Sequence, residues 1–302
     1  MTSHDLSNGA AWMRGEIIPT SEASLPVTDW GLTHSDITYD VVHAWDGRFF
    51  RLDDYLSRFE NSLIKCELSI EQSREDIRSI LHQIVSRSKL QCAYVSFVAS
   101  RGQPSIVGSR DPRDCVNHFY AWCVPFVWVF PEAVRQRGAH LQVPDGLHRI
   151  GPTSVDPKAK NYHWGDFTQG LLKAKNDGFD NTLLLDSHGL VTEGPGFNIF
   201  IVKNGRVATP KSGVLEGITR KTAMEICHHH GLIIDENDIT LDELLEADEV
   251  LATTTGGGLI PVSKINERVF SNGAPGEVSL MLQSSYWQWH EDDTMSEVID
   301  YG

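Results

Sequence analysis

Two dipeptides, Asp46-Gly47 and Asn204-Gly205, each sit between short apolar runs. Such pairs accept positive φ at both central positions, the geometry that closes a tight turn between right-twisted strands. ITYDVVHAWDGRFFRL and FNIFIVKNGRVATP therefore predict two hairpins, and NTLLLD-SHG-LVTEG reads as a third unit of the same kind. Helical stripes are interleaved with them. Tyr55, Leu56, Phe59, Leu63 and Ile64 follow a cap expected at Asp53 or Asp54. Ile77, Ile80, Leu81 and Ile84 mark a second helix from Ile70 to Ser86. Hairpins mixed with helices predict an α/β fold of the mixed α+β kind, in two domains.

The rest of the chain fits that frame. AWMRGEIIP reads as a short strand ending at Pro19, and CAYVSFVAS as another strand. RGQPSIVGSRDPRD reads as a mobile loop, and HFYAWCVPFVWVF as a long strand region broken at Pro125. From Val143, VPDGLHRIGPTSVDP concentrates proline, glycine and polar residues and is taken as a linker. The expected ranges are a domain over 1–142, a linker over 143–155 and a second domain over 156–302. FTQGLLKAKNDG and GITRKTAMEICHHHG predict helices, the latter with Gly231 just past its end. LIIDENDI and DEVLATTTGGG are strand candidates around a short helix, TLDELLEA, and the tail from Gly276 reads as a closing helix and a polar end.

With 302 residues, 40% of them hydrophobic, the chain can bury a cofactor without disulfides or metals. A net charge of −15 leaves no basic stripe to meet a nucleic-acid backbone. The five cysteines are odd in number and form no C-x-x-C pair, which argues against a disulfide framework or zinc site and for a reducing, cytoplasmic setting. The first residues lack a signal-peptide pattern, and no apolar run approaches the length of a membrane span. His228, His229 and His230 are consecutive and do not share a helix face, so no metal role is expected for them. A serine-hydrolase reading lacks its G-x-S-x-G elbow.

Chemistry-bearing candidates remain. VDPKAKNYHWGD holds Lys158 and Lys160 beside Tyr162 and Trp164. A lysine used as an amine nucleophile must be partly desolvated, so that its neutral form is accessible. Aromatic neighbours at a helix start supply that setting for Lys160, although a lysine on a linker is far more often a solvated surface residue. Glu193, in VTEGPGFNIFIV, is either a solvated turn glutamate or a carboxylate aimed at a protonated ring nitrogen. Gly217-Ile218-Thr219 opens a helix and is either a simple cap or a phosphate seat. Thr253, Thr254 and Thr255 before Gly256-Gly257-Gly258 are a second such seat or a glycine-rich turn, and no P-loop follows. Arg58 lies on the first striped helix, where it is solvated or pairs with a phosphate.

Read in order, HSDITYDVVHAWDGRFFRLDDYLSRFENS, KNYHWGD, VTEGPGFNIF, GVLEGITRKT and ATTTGGG resemble the fold type IV pyridoxal-phosphate enzymes, the branched-chain-aminotransferase-like class. The resemblance runs from Trp12 to Trp289. His34-Ser35-Asp36, Thr38-Tyr39-Asp40, the RLDD run and KNYHWGD are most similar to the (R)-selective amine transaminases. It implies a small N-terminal α/β domain and a larger C-terminal α/β pseudo-barrel domain, with pyridoxal 5'-phosphate between them, in a homodimer. By the same resemblance, Lys160 is the Schiff-base lysine and Glu193 faces the pyridine nitrogen. Arg58, Ile218, Thr219 and Thr254 match the phosphate cup. His34, Tyr39, Val41, Tyr94, Ser96, Trp164 and Thr255 fall where relatives line the substrate pocket.

The chain departs from its relatives at two places. Val107 stands where many amine transaminases carry an arginine that grips a keto acid, with Arg110 nearby as a substitute, and Ser96 stands where some relatives are acidic. The implied activity is a ping-pong transaminase moving an amino group between a primary amine, (R)-configured and of arylalkyl type, and a keto acid or ketone. The alternatives on this fold are a branched-chain or D-amino acid transaminase and an aminodeoxychorismate-type lyase. An alternative of another class is a non-catalytic cofactor carrier.

Overall fold

The computed structural model describes residues 5–302. In chain order its first strands and helices are β1 (Ala10–Met13), β2 (Glu16–Pro19), α1 (Trp30–Thr33), β3 (Ile37–Trp45), β4 (Arg48–Phe50), α2 (Leu52–Lys65), α3 (Arg74–Ser88), β5 (Ala93–Pro104) and β6 (Cys115–Pro125). Next come α4 (Glu132–Arg137), β7 (Ala139–Gln142), α5 (Gly165–Asn176), β8 (Asn181–Thr182), β9 (Asn198–Lys203), β10 (Arg206–Pro210), α6 (Ile218–His229) and β11 (Ile234–Asn237). The last are α7 (Leu241–Leu245), β12 (Glu249–Thr254), β13 (Gly258–Ile265), β14 (Arg268–Val269), α8 (Glu277–Gln288) and β15 (Ser296–Val298). No helix among the described residues is long and apolar enough to cross a membrane.

The chain divides into two compact units. Unit one takes the chain up to Val127, then Ala159–Tyr162 and Asp292–Gly302; unit two takes Trp128–Lys158 and His163–Glu291. These bounds differ from the ranges drawn on the sequence. The 128–142 segment goes with unit two because β7 pairs with β13 and β8. The run after Val143 also belongs to unit two, while Ala159–Tyr162 and the C-terminal tail return to unit one.

Unit one is built on a seven-stranded sheet, ordered β15-β4-β3-β5-β6-β1-β2. The β3–β4 hairpin turns at Asp46 (φ 49) and Gly47 (φ 72), as the dipeptide predicts. AWMRGEIIP is not one strand but a hairpin, β1–β2, turning at Arg14 (φ 53) and Gly15 (φ 86). An Arg-Gly pair is a weaker turn signal than Asn-Gly, which is why pattern alone missed it. Helix α2 starts after Arg51, held at φ 57, rather than on an aspartate cap. Helix α3 starts at a Ser73–Asp76 capping box, later than the apolar stripe suggested. Strand β5 takes the first four residues of the expected mobile loop, up to Pro104, and β6 begins directly after its end. The polar tail contains β15, which pairs with β4 through Ser296 and Phe50. Tyr55, Leu56 and Phe59 from α2, Leu81 and Ile84 from α3, and Val95 and Phe97 from β5 are all buried.

Unit two carries an eight-stranded sheet, ordered β11-β10-β9-β12-β13-β7-β8, with β14 on β13. Its β9–β10 hairpin turns at Asn204 (φ 50) and Gly205 (φ 72). Phe130, Leu141, Leu183, Val191, Ile199, Val250, Ile260 and Phe270 belong to one core cluster. The mixed α/β class expected from the sequence is thus the class observed.

Candidate active site

In unit one the site begins with an unfilled sheet edge. Strand β4 pairs only with Ala44 and Trp45 of β3, which leaves the other end of that edge available. The Lys160 segment takes it, through a bridge between Thr38 and Asn161. The Lys160 carbonyl accepts from the Thr38 hydroxyl at 2.7 Å and from the Tyr39 N–H at 3.2 Å. Its own N–H donates to Ser62 Oγ on α2 at 3.3 Å. Both sides of the peptide are therefore fixed, and Nζ lies 4.6 Å from the centroid of the Tyr39 ring. Lys158, by contrast, is exposed and paired with Glu216 at 2.6 Å.

One helical turn before Ser62, Arg58 makes a bidentate pair with Asp40 of β3, at 2.8 and 2.6 Å. Asp40 is fully buried. The solvated-face reading of Arg58 is therefore excluded. The opposite face of the same strands shows Tyr39 and Val41 beside Tyr94 and Ser96 of β5, with Val41 and Ser96 in register. The Tyr39 and Tyr162 rings pack at 4.3 Å, tilted by 42°. Burial raises the phenols of Tyr39 and Tyr94 and pushes that of Tyr162 up to about 12, so this face carries neutral hydroxyls at neutral pH.

In unit two, Glu193 is 6% exposed and its carboxylate is shared among several donors. Oε2 accepts from the Leu215 N–H at 2.9 Å and from Asn198 Nδ2 at 3.3 Å. Oε1 faces Arg149 Nε and Nη2, both at 3.4 Å. The turn after it requires Gly194, because a Cβ there would meet the Phe197 ring at 2.1 Å and the Thr182 carbonyl at 2.5 Å. The carboxylate is thus aimed by a tight backbone rather than solvated at a turn.

Helix α6 starts at Gly217 without a side-chain cap. Helix geometry leaves the first N–H groups, those of Ile218 and Thr219, without intrahelical acceptors. Thr219 is 3% exposed, and its hydroxyl has no hydrogen-bond partner among the described residues. An uncapped helix start with an unsatisfied hydroxyl is chemically suited to an anion. The Thr253 hydroxyl is likewise buried without a partner, whereas Thr254 Oγ1 accepts from Gly256 N at 3.2 Å. Thr255 is half-buried in the loop that follows.

Unit one thus gathers Lys160, Tyr39, Val41, Tyr94, Ser96 and Arg58, and unit two holds Glu193, Ile218, Thr219, Thr254, Thr255 and Trp164. Trp164 caps α5 and packs edge-on against Phe167 at 5.6 Å. His34 is exposed and stacks on Trp30 at 4.4 Å. Arg110 and Val107 lie on the exposed segment after β5, with Val107 fully exposed. In the histidine run, His229 and His230 meet edge-on at 5.3 Å, His229 packs on Trp289 and His230 bonds Ser285. No cluster suited to a metal occurs among the described residues. Sequence reading missed Asp40, Asn198, Arg149 and Asp166. Arg149 sits in the proline- and glycine-rich run, where no periodicity reports burial.

Residues 38–265 match the family described as amino-transferase class IV. The branched-chain-amino-acid aminotransferase of Pseudomonas aeruginosa is 28% identical over 285 residues, covering 93% of this chain and 92% of the relative. The D-alanine aminotransferase of Bacillus licheniformis is 26% identical over 279 residues, covering 90% and 93%. Among solved structures, the T.th. branched-chain amino acid aminotransferase with pyridoxamine 5'-phosphate superposes with a TM-score of 0.90 at 26% identity, covering 97% of this chain and 99% of that one. The fold is that of these aminotransferases.

Proposed function

Because the chain belongs to the amino-transferase class IV family, we propose that it is an aminotransferase that holds pyridoxal 5'-phosphate on Lys160 and moves an amino group from a primary amine to a keto acid or ketone. The observation that carries this reading is the fixed Lys160 peptide, which sets an amine over the Tyr39 ring. The residues present fit the cofactor's other groups. The unsatisfied Thr219 hydroxyl and the N–H groups of Ile218 and Thr219 suit a phosphate. Thr254 adds a hydroxyl, and Arg58, kept in place by Asp40, adds a guanidinium donor. The buried Glu193 carboxylate suits a protonated ring nitrogen.

When bound, pyridoxal phosphate supplies an aldehyde carbon for amine exchange and a ring that takes up electrons freed at the substrate carbon. Lys160 Nζ removes the proton from the amine-bearing carbon and returns a proton when the acceptor is converted. The Tyr39 ring, 4.6 Å from Nζ, shields one side of that amine from water. Two half-reactions at one site give ping-pong kinetics.

For the donor, Tyr39, Val41, Tyr94 and Ser96 present no charge, which favours an arylalkyl group over a charged one, and an (R)-configured amine is the donor proposed. The second reading, a branched-chain or D-amino acid donor, is favoured by the relatives' activities. Arg110 is the candidate for gripping a carboxylate in either case. The working unit proposed is a cytoplasmic homodimer. A panel of both 1-phenylethylamine enantiomers, L-leucine and D-alanine, each with a keto acid, separates the readings. Activity on the (R)-amine supports the first, and activity on leucine or D-alanine alone rejects it. Lys160→Ala abolishes turnover and the yellow colour, whereas Lys158→Ala keeps both; the reverse pattern refutes the assignment.

A further inference from the structure

Arg149 is a buried arginine that the proposed chemistry does not use. It is 8% exposed, and its backbone N–H is tied to the Leu185 carbonyl at 2.8 Å. Its guanidinium is divided unequally between two carboxylates. Nη1 donates to Asp166 Oδ2 at 2.7 Å, while Nε and Nη2 stand 3.4 Å from Glu193 Oε1. The plane is further held over the Phe167 ring, 4.0 Å from its centroid. Asp166 is itself fixed by the N–H groups of Ile150 and Phe167, each at 2.7 Å. The tight bond is therefore to Asp166, and the contact with Glu193 is loose.

A guanidinium bound bidentately to Glu193 would occupy and neutralise the carboxylate. Held mainly by Asp166, Arg149 instead orients Oε1 from 3.4 Å without closing a tight bidentate pair on Glu193. Two carboxylates and one guanidinium sum to one negative charge in a buried place, which a single cationic donor balances. Oε2, bonded to Leu215 N and Asn198, links the same carboxylate to the segment that leads into the uncapped start of α6.

We propose that Arg149 and Asp166 are positioning residues that aim the Glu193 carboxylate and set the cluster's net charge to receive the protonated ring nitrogen of pyridoxal phosphate. The inference rests on the reading of Glu193 given above. Neither residue touches the reacting atoms in this role; both act through Glu193.

The test is cofactor affinity of the full chain, stripped of cofactor and titrated with pyridoxal phosphate by absorbance, for wild type, R149M, R149K, D166N, E193Q and the R149M/E193Q pair. R149M keeps a long apolar stem against Phe167 and is expected to weaken affinity about tenfold, the range seen when partners of a binding group are removed. R149K restores the charge and recovers most of the loss, which a purely structural role would not predict. D166N, close in shape to the original, weakens affinity by a similar factor by releasing Arg149 onto Glu193, and it carries the test if R149M does not fold. In the E193Q background the R149M loss disappears, because the effect runs through Glu193. Wild-type affinity in both R149M and D166N, or an undiminished R149M loss in E193Q, overturns this inference alone. A wild-type chain that takes up no cofactor, or E193Q that binds as tightly as wild type, overturns the reading of Glu193 and this inference with it.

Discussion

Acidification provides a sharp test of the packing in unit two through His290. The side chain is 6% exposed and sits between two rings, edge-on to Tyr286 at 4.8 Å and stacked on Trp287 at 4.9 Å. Its Nδ1 is 2.8 Å from the Tyr286 carbonyl. A carbonyl only accepts, so Nδ1 carries the hydrogen and any added proton goes to Nε2. Burial lowers the imidazole from 6.5 to about 4, and the bond to the Tyr286 carbonyl opposes that shift only partly. The folded pKa is depressed, so the unfolded chain binds the proton first. The contribution to stability is complete above pH 6.5 and is lost progressively as pH falls toward about 4. At about 1.4 kcal/mol per pH unit, the loss amounts to roughly 3 kcal/mol. A cation stacked on Trp287 recovers part of it, on the order of 1 kcal/mol. The assay is urea unfolding followed by tryptophan fluorescence, from about pH 7.5 to about pH 4.5, for wild type and His290→Phe. The variant is less stable at neutral pH because it lacks the carbonyl bond, but its stability falls less with acid, by about 2–3 kcal/mol. Parallel pH curves for the two proteins would refute the reasoning, because they would mean His290 is protonated or solvated in the folded state.

Three further perturbations give distinct signatures. Asp40→Asn leaves the Arg58 guanidinium buried without its counter-charge and is expected to cost about 3–5 kcal/mol in chemical denaturation; a loss under about 1 kcal/mol would show that the pair is solvated. Thr219→Val removes a buried hydroxyl with no partner among the described residues. The cofactor-free chain is therefore expected to be as stable as wild type or more so, by up to about 1 kcal/mol, while pyridoxal-phosphate affinity falls about tenfold. Destabilisation of the cofactor-free variant would contradict the reading of that hydroxyl. Gly217→Ala has an ordinary backbone conformation, φ −62, yet its Cβ would stand 2.2 Å from Asn198 Oδ1. The clash displaces the side chain that bonds Glu193, so cofactor titration is expected to show weaker binding; unchanged affinity would mean Asn198 can move at no cost.

Local chemistry explains which parts of the molecule could be read from the chain. Asp46-Gly47 and Asn204-Gly205 specify their turns within two residues, so those hairpins are where the sequence put them. Arg14-Gly15 makes the same turn with a residue that carries no such signal, and the β1–β2 hairpin went unseen. Strand β15 was hidden for a different reason. Its pairing partner, β4, lies far away in sequence, and a short polar strand has no pattern of its own. Lys160 and Glu193 stood out through the order of motifs along the whole chain, not through their own neighbours.

The sequence by itself determined the mixed α/β class, the hairpin turns at Asp46-Gly47 and Asn204-Gly205, the main helices, and the candidacy of the lysine, glutamate and helix start on which the proposed chemistry rests. These depend on residues within a few positions of one another or on a motif order preserved along the chain. Only the tertiary structure decided what holds those groups. Asp40 meets Arg58 because β3 packs under α2. Lys160 is fixed because β4 covers only one end of an edge of β3. Arg149 reaches Glu193 because the segment read as a linker folds into unit two, bridging to Leu185 at His148. Each is a pairing of buried polar groups between segments distant in sequence. Burial makes such pairing obligatory, but no local pattern of residues says which partner will be found.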